Sequence, residues 1–305
     1  MSSLDKQVSP PPPLPSVTNN ALKGMAWLTL SGIIFSIFVA IVRDISFDMH
    51  AAETAFLRYL LGLLFILPLF MGKRRKELRT RRPFSQAFRG LMHGGGVLLW
   101  FYAIAEISLA EVTALGFTAP VFSTIGAAIF LGERIRLPRI LAVLCGLAGA
   151  VIILQPGFRE VTWGHIAMLV AAPCFAGSKI IAKKLTFDEN PTAIVAWLSI
   201  SVTVVLAIPA FQVWRMPTLE EWFLLTLTAA MATFAHVCMT KAWQAADLSV
   251  TQPVEFLQLI WATLIGIYLF GEDPFWGIWV GGAVIIASAT YIAHREMLAR
   301  KRQQA

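Results

Sequence analysis

Val112–Glu133 reads VTALGFTAPVFSTIGAAIFLGE, and Val250–Glu272 reads VTQPVEFLQLIWATLIGIYLFGE. Both stretches open on Val-Thr, run through about 20 mostly apolar residues and close on Gly-Glu, the second being one residue longer. Each is long enough to cross a bilayer as a single helix. Two copies of one spanning helix, near the ends of two half-chains, predict a duplicated membrane unit.

Composition agrees. Of 305 residues, 57% are hydrophobic and 14% charged, against about 25% charge in a soluble domain. The expected class is an all-α polytopic membrane protein. A net charge of +7 would suggest nucleic acid as the partner of a soluble chain. Here the basic residues sit in short loops and track membrane orientation, so no nucleic acid is expected. Cys145, Cys174 and Cys238 fall inside apolar segments and read as small packing residues. No CxxC pair or Cys/His cluster argues for a metal or another cofactor.

Residues 1–20, with Pro10–Pro13 and Pro15, read as a disordered proline-rich tail. Ten apolar segments follow, near 25–42, 51–71, 90–107, 111–131, 138–155, 162–182, 192–212, 219–240, 250–271 and 274–293. Placing the N-terminus in the cytoplasm puts 20 basic residues inside, eight of them in the run Lys73–Arg89, and only Arg43, Arg159 and Arg215 outside. That bias supports ten transmembrane helices with both termini cytoplasmic, ending in a basic tail over 298–305.

The repeat extends beyond the opening pair. Gly24–Ile45 aligns without a gap to Gly164–Leu185, matching Phe35 to Phe175 and Arg43 to Lys183. Pro68 and Pro209 are expected to end the second and seventh helices. The chain thus divides into five-helix units over 21–157 and 158–297. Five is odd, so the second unit enters the membrane in the opposite sense, and the two form inverted repeats.

The doubled helix, Phe56-Leu-Arg-Tyr59 in the second segment and Trp100-Phe-Tyr-Ala-Ile-Ala leading into the fourth resemble the EamA-type permeases of the drug/metabolite transporter superfamily. The resemblance covers about residues 22–297. It implies a central cavity lined mainly by segments 1, 3, 4, 6, 8 and 9, and transport by alternating access. At the Arg58 position the second unit departs, reading Ala196-Trp-Leu-Ser199.

Ionisable groups inside a membrane are costly and therefore candidates for gating or coupling. His93 is expected at the start of segment 3, Lys179 near the end of 6, His236 near the end of 8 and Glu255 near the start of 9. All four lie toward the cytoplasmic side, where they are expected to form one polar cluster at the inner mouth. Gln252 and Gln258 flank Glu255 at i−3 and i+3, making a polar stripe. Lys179 has the alternative of snorkelling to the headgroups, the histidines that of packing, and Glu255 that of a structural ion pair with Lys179 or Arg58. Arg58 either contacts an anionic group of the solute or pairs with Glu53 or Glu106. The candidate cavity residues near mid-membrane are Phe35, Ser36, Trp100, Phe117, Pro120, Phe175, Ser178, Gln258 and Trp261. Pro120 and Pro173 are expected to interrupt helices 4 and 6. Gly94-Gly95-Gly96 lacks P-loop spacing and reads as close helix packing.

No Walker motif is present, and the five histidines form no ligand-spaced motif, so neither a pump driven by nucleotide hydrolysis nor a membrane enzyme is expected. The expected function is a secondary transporter for a small organic metabolite in the bacterial inner membrane, driven by protons or by exchange. The alternative is a non-transporting component, such as a lipid-carrier flippase subunit or a sensor. The expected partners are the solute and the lipid bilayer, with a homodimer left open.

Overall fold

The computed structural model describes residues 21–70, 79–131, 137–185, 189, 191–245, 254 and 256–304. Eleven helices occur among them: α1 (Ala21–Ile45), α2 (Ala51–Phe70), α3 (Pro83–Glu106), α4 (Leu109–Gly116), α5 (Ala119–Leu131), α6 (Leu137–Leu154), α7 (Trp163–Leu185), α8 (Pro191–Gln212), α9 (Leu219–Ala245), α10 (Leu257–Phe270) and α11 (Trp276–Gln304). No strand occurs among the described residues. Five stretches are long and apolar enough to cross a membrane: Leu22–Ile45, Leu109–Gly126, Trp163–Ala182, Ala193–Gln212 and Leu219–Met239.

Several boundaries differ from the sequence expectation. The fourth segment is not one helix, because α4 and α5 are separated at Phe117–Thr118. The Phe117 N–H bonds the Thr113 and Ala114 carbonyls, and the Thr118 N–H tightens onto Leu115. Pro120 offers no N–H for the Gly116 carbonyl; it sits in the first turn of α5 instead of interrupting a helix interior. Pro209 lies inside α8 and does not end it, whereas Pro173 lies inside α7, where it removes one backbone N–H. Helix α3 starts at Pro83, with the proline in its first turn, seven residues ahead of the expected 90. Arg89, expected in a cytoplasmic loop, is therefore a buried residue of α3 whose Nη1 donates to the Ile194 carbonyl at 2.8 Å. Helix α11 runs to Gln304, through most of the expected basic tail.

Large fully buried side chains, among them Phe38, Leu57, Phe101, Leu109, Leu206 and Leu225, join α1, α2, α3, α4, α8 and α9 in one core. Exposed apolar side chains such as Phe211, Phe223 and Tyr268 cover the outside of the bundle, as a lipid-facing surface requires. The main packing partners are α1 with α9, α3 with α7 and α8, α2 with α8 and α9, α5 with α7, α1 with α10, α4 with α10, and α6 with α11.

Glycines set the closest approaches. A Cβ on Gly94 would meet Val205 at 3.0 Å and one on Gly96 would meet Cys174 at 3.1 Å, so these two glycines let α8 and α7 pack against α3. Gly149 of α6 and Gly281 of α11 face each other reciprocally. A Cβ on Gly149 would lie 2.8 Å from the Gly281 carbonyl oxygen, and one on Gly281 2.5 Å from the Gly149 oxygen.

At one end of the bundle, Lys241 near the end of α9 lies 4.6 Å from the ring centroid of Trp27, near the start of α1. We call this the basic end. The Glu189 carboxylate ties the start of α3 to the α7–α8 connection, accepting from the Thr80 hydroxyl (2.6 Å), the backbone N–H groups of Arg81 (2.7 Å) and Arg82 (2.9 Å), and Gln86 (3.3 Å). Burial raises this carboxyl, but the four donors win and hold it below the usual carboxylate range.

Replacing Gly149 or Gly281 by valine should force α6 and α11 apart and cost about 1–3 kcal/mol of stability. Gly95→Ala, which meets nothing within 4 Å, should cost less than either. Thermal unfolding of the purified protein in detergent measures both. Equal melting temperatures for Gly281→Val and Gly95→Ala would contradict the close crossing.

Candidate functional site: an internal cavity beneath a sealed end

A cavity of about 190 Å³ is lined by Leu28, Ser31, Gly32 and Phe35 of α1, Ala235, His236 and Met239 of α9, and Gln258 of α10. Gln258 belongs to the first turn of α10, and Ala235–Met239 to the second half of α9, so the cavity lies toward the basic end. Ser31 donates its hydroxyl to the Ala235 carbonyl at 2.8 Å, holding α1 against α9. His236 Nδ1 lies 2.6 Å from the Ala232 carbonyl, which orients the ring. A Cβ on Gly32 would meet nothing within 4 Å, so the missing side chain leaves open volume. The Phe35 ring stacks on Trp100 of α3, with centroids 5.7 Å apart and planes 8° from parallel. Trp261, one turn beyond Gln258 on the same helix face, has its indole Nε1 buried without a hydrogen-bond partner.

Deeper in the bundle lies a basic cluster. The Arg58 guanidinium rests 4.2 Å from the Tyr59 ring centroid and 5.6 Å from that of Phe38. The Tyr59 hydroxyl is 3.4 Å from His93 Nε2, and the His93 ring meets Phe175 edge-on at 5.2 Å. Arg58, Arg89, His236 and Lys179 all lie within electrostatic range of His93. Neither expected carboxylate reaches Arg58. Glu53 instead accepts a bond from the backbone N–H of Arg215 at 3.4 Å, and Glu106 is exposed.

The expected inner-mouth cluster is therefore redistributed. His93 sits in the third turn of α3, because that helix starts early, and joins Tyr59 and Arg58. His236 lines the cavity. Lys179 is exposed on α7, which leaves its long side chain free to reach a headgroup. Glu255 and Gln252 lie outside the described residues, as does the side chain of Pro120. Among the other expected cavity residues, Phe35 and Gln258 line the cavity, and Trp100 forms the second layer behind Phe35. Phe117 packs edge-on against Phe256 at 5.1 Å. Ser36 and Ser178 are buried, with Ser36 Oγ unpartnered.

The opposite end is closed by polar groups that hydropathy does not single out. Ser108 and Glu111 form a capping box at the start of α4. Glu111 Oε1 also accepts from Arg159 (3.1 Å) and lies 3.6 Å from His165 Nε2. Arg159 stacks 3.8 Å from the Phe275 ring centroid. Arg43 donates to the Ile104 and Ile107 carbonyls at the end of α3. Glu272 accepts from the Leu109 N–H, with oxygens at 3.0 and 3.2 Å. The Gly-Glu close of the second repeated stretch explains that contact. Gly271 takes a left-handed conformation (φ 63°) and caps α10, its N–H bonding the Ile267 carbonyl and the Glu272 N–H bonding the Gly266 carbonyl. The Glu272 side chain then folds over Gly266, where any Cβ would displace it. The signal for this end is present in Ser-x-x-Glu at 108–111 and Thr-x-x-Glu at 218–221, where Glu221 bonds Arg215 and the Thr218 N–H.

The described helices form an apolar bundle with a cavity toward one end and a polar layer at the other. Two stretches, residues 22–155 and 162–293, match the EamA-like transporter family. A riboflavin transporter of Rhizobium johnstonii is 31% identical over 92% of this chain and 93% of its own. An S-adenosylmethionine uptake transporter of Rickettsia bellii is 29% identical over 93% of this chain and 99% of its own. A crystal structure 18% identical superposes with a TM-score of 0.57, covering 93% of this chain and 99% of that one, and supports the fold alone. The chain belongs to the EamA-like transporter family. It is a multi-pass protein of the bacterial inner membrane and a transporter instead of an enzyme.

Burial raises the Glu272 carboxyl above its ordinary range, while the Leu109 N–H and Arg43 pull it down and Glu111 pushes it up. A raised value means the folded protein favours the protonated form, so this stabilising share is present at acid pH and fades as pH rises through the raised value. Glu272→Gln, which keeps an oxygen for Leu109, should remove that dependence. Melting temperatures from about pH 4 to about pH 7 should fall more steeply for the wild type than for the variant. Parallel curves would contradict the assignment.

Proposed function

We propose that this protein is a secondary transporter moving a small organic metabolite by alternating access between two inverted five-helix halves, with both termini cytoplasmic. The observation that carries the reading is the asymmetry of the bundle. The cavity lies toward the basic end, and hydrogen-bonded carboxylates close the other. With the basic end cytoplasmic, as the positive-inside bias suggests, the structure corresponds to an inward-facing state sealed on the outer side.

The helix contacts support the inverted repeat. Exchanging 21–157 with 158–297 maps α1–α9 onto α7–α3, α2–α9 onto α8–α3, and α1–α10 onto α7–α5. The pairs α4–α10 and α6–α11 map onto themselves, and the reciprocal Gly149–Gly281 contact lies at such a self-mapped crossing. A pseudo-two-fold axis through the bundle gives this pattern. Rocking one half against the other can then close the cavity below and open the end above.

The wall chemistry suits a flat, amphiphilic solute. Phe35 offers an aromatic face held from behind by its stack on Trp100, and Gln258 and His236 offer polar groups. Riboflavin and S-adenosylmethionine, the solutes named for the two relatives, each combine a flat heteroaromatic ring with polar groups. The energy source is a proton gradient or exchange.

Gly32→Leu tests the cavity with little risk to the fold, since nothing lies within 4 Å of the added Cβ. In proteoliposomes of the purified protein, solute flux should fall about ten-fold or more, with the melting temperature unchanged. Trp100→Ala should weaken apparent affinity by about ten-fold through loss of the stack. Flux should vanish either with a protonophore, which indicates proton coupling, or without internal counter-solute, which indicates exchange. Normal flux through folded Gly32→Leu would exclude this cavity as the route.

A further inference from the structure

We propose that the cavity selects solutes carrying an acidic group, with Arg58 as the counter-ion and the Phe35–Trp100 stack holding a flat part of the same molecule. This rests on the transport reading above and adds the charge class of the solute.

Arg58 is half-buried within the bundle, and its Nε is buried without a hydrogen-bond partner. Among the described residues, no carboxylate forms an ion pair with it. Its neighbours are two aromatic faces, Tyr59 and Phe38. Cation–π contacts offset part of the desolvation of a guanidinium, but they leave its in-plane donors unused. Five N–H donors in a rigid fork match a carboxylate or phosphate, which they bind bidentately.

Two further cations act on the same cluster. Arg89 of α3 and Lys179 of α7, together with Arg58 of α2, come within electrostatic range of His93. Arg89 is held by the Ile194 carbonyl, and His93 by Tyr59. An anion entering here would find a positive potential focused by low-dielectric walls.

The fully buried Phe38 ring stands between the cluster and the cavity. Phe38 touches the Arg58 guanidinium at 5.6 Å and the Phe35 ring at 5.3 Å. Phe35 lines the cavity, and His236 lines it from the other side. A molecule lying on Phe35 brings its acidic group to Arg58 when the Phe38 ring turns aside. Arg58 has no counterpart in the second half of the chain, where the aligned region reads Ala196-Trp-Leu-Ser199. A group used once by an asymmetric solute needs no copy; a structural element of the repeat would be expected twice.

Matched probes test this on the purified full-length protein: indole-3-acetate against indole-3-acetamide, and flavin mononucleotide against riboflavin. Binding is read by quenching of tryptophan fluorescence and by thermal stabilisation. The anionic member of at least one pair should bind about ten-fold or more tighter than its neutral mate. The pair that shows the preference tells a carboxylate site from a phosphate site. Arg58→Gln should bring that ratio to about one while leaving the neutral probe within about two-fold, and Arg58→Lys should keep part of it, as a point charge without the fork. Should Arg58→Gln not fold, the wild-type ratio and Arg58→Lys decide. Equal affinity within both pairs, absence of binding by both anions, or a preference that survives Arg58→Gln would overturn the proposal. Flux of a neutral solute with no anion preference defeats this inference alone; a folded protein that carries no solute defeats the transport reading instead.

Discussion

The Glu272 carboxylate sits on the first backbone N–H of α4, and much of the bundle depends on that contact. A helix start buried between other elements has no water to satisfy its first N–H groups, so each needs a protein partner. Leu109 lies just ahead of the first copy of the repeated stretch, and Glu272 closes the second. The two copies therefore meet at one end, and the contact joins the two halves of the chain. It also anchors a wider polar layer. Arg43 secures the end of α3, Ser108 and Glu111 cap α4, and Arg159 and His165 converge on Glu111.

Sealing one end leaves the other to hold open volume. Around the cavity the two halves contribute unlike chemistry from equivalent positions. Phe35 and Phe175 align in the repeat, and each lies beside a histidine. Phe35 shares the cavity with His236 of the other half, and Phe175 meets His93 of the other half edge-on. The first pairing surrounds open space, whereas the second is filled by Gly96 packing and the Tyr59 contact. Duplication supplies a symmetric frame, and differences at paired positions place the cavity off its centre.

The repeat is legible in the sequence because it spans whole helices. Matching Val-Thr and Gly-Glu ends, aligned Phe35 and Phe175, and the one-sided basic loops each test the same duplicated plan. Single-residue environments are less legible. Hydropathy puts His93 too near a helix start, because it does not register the amphipathic first turns over 83–89 with which α3 begins. Arg89 reads as part of a loop charge run, yet it satisfies the Ile194 carbonyl. Glu53 reads as a partner for Arg58 but is engaged by Arg215 at the sealed end. Charge complementarity between helices depends on rotation about their axes, which a single sequence does not specify. The capping box is local in sequence and readable at 108–111, but its role in closing one end depends on which helix ends meet.

The central claim is that the end held by Glu272 and Leu109 must open for solute to pass. Cysteines introduced at Phe47 and Phe270, whose rings meet at this end with centroids 6.2 Å apart, in a protein whose native cysteines are replaced by serine, can be joined by a short bifunctional thiol reagent. Solute flux in proteoliposomes is then measured before cross-linking and after it. The account predicts that cross-linking stops flux while leaving solute binding from the basic end intact. Undiminished flux through a quantitatively cross-linked protein would contradict it.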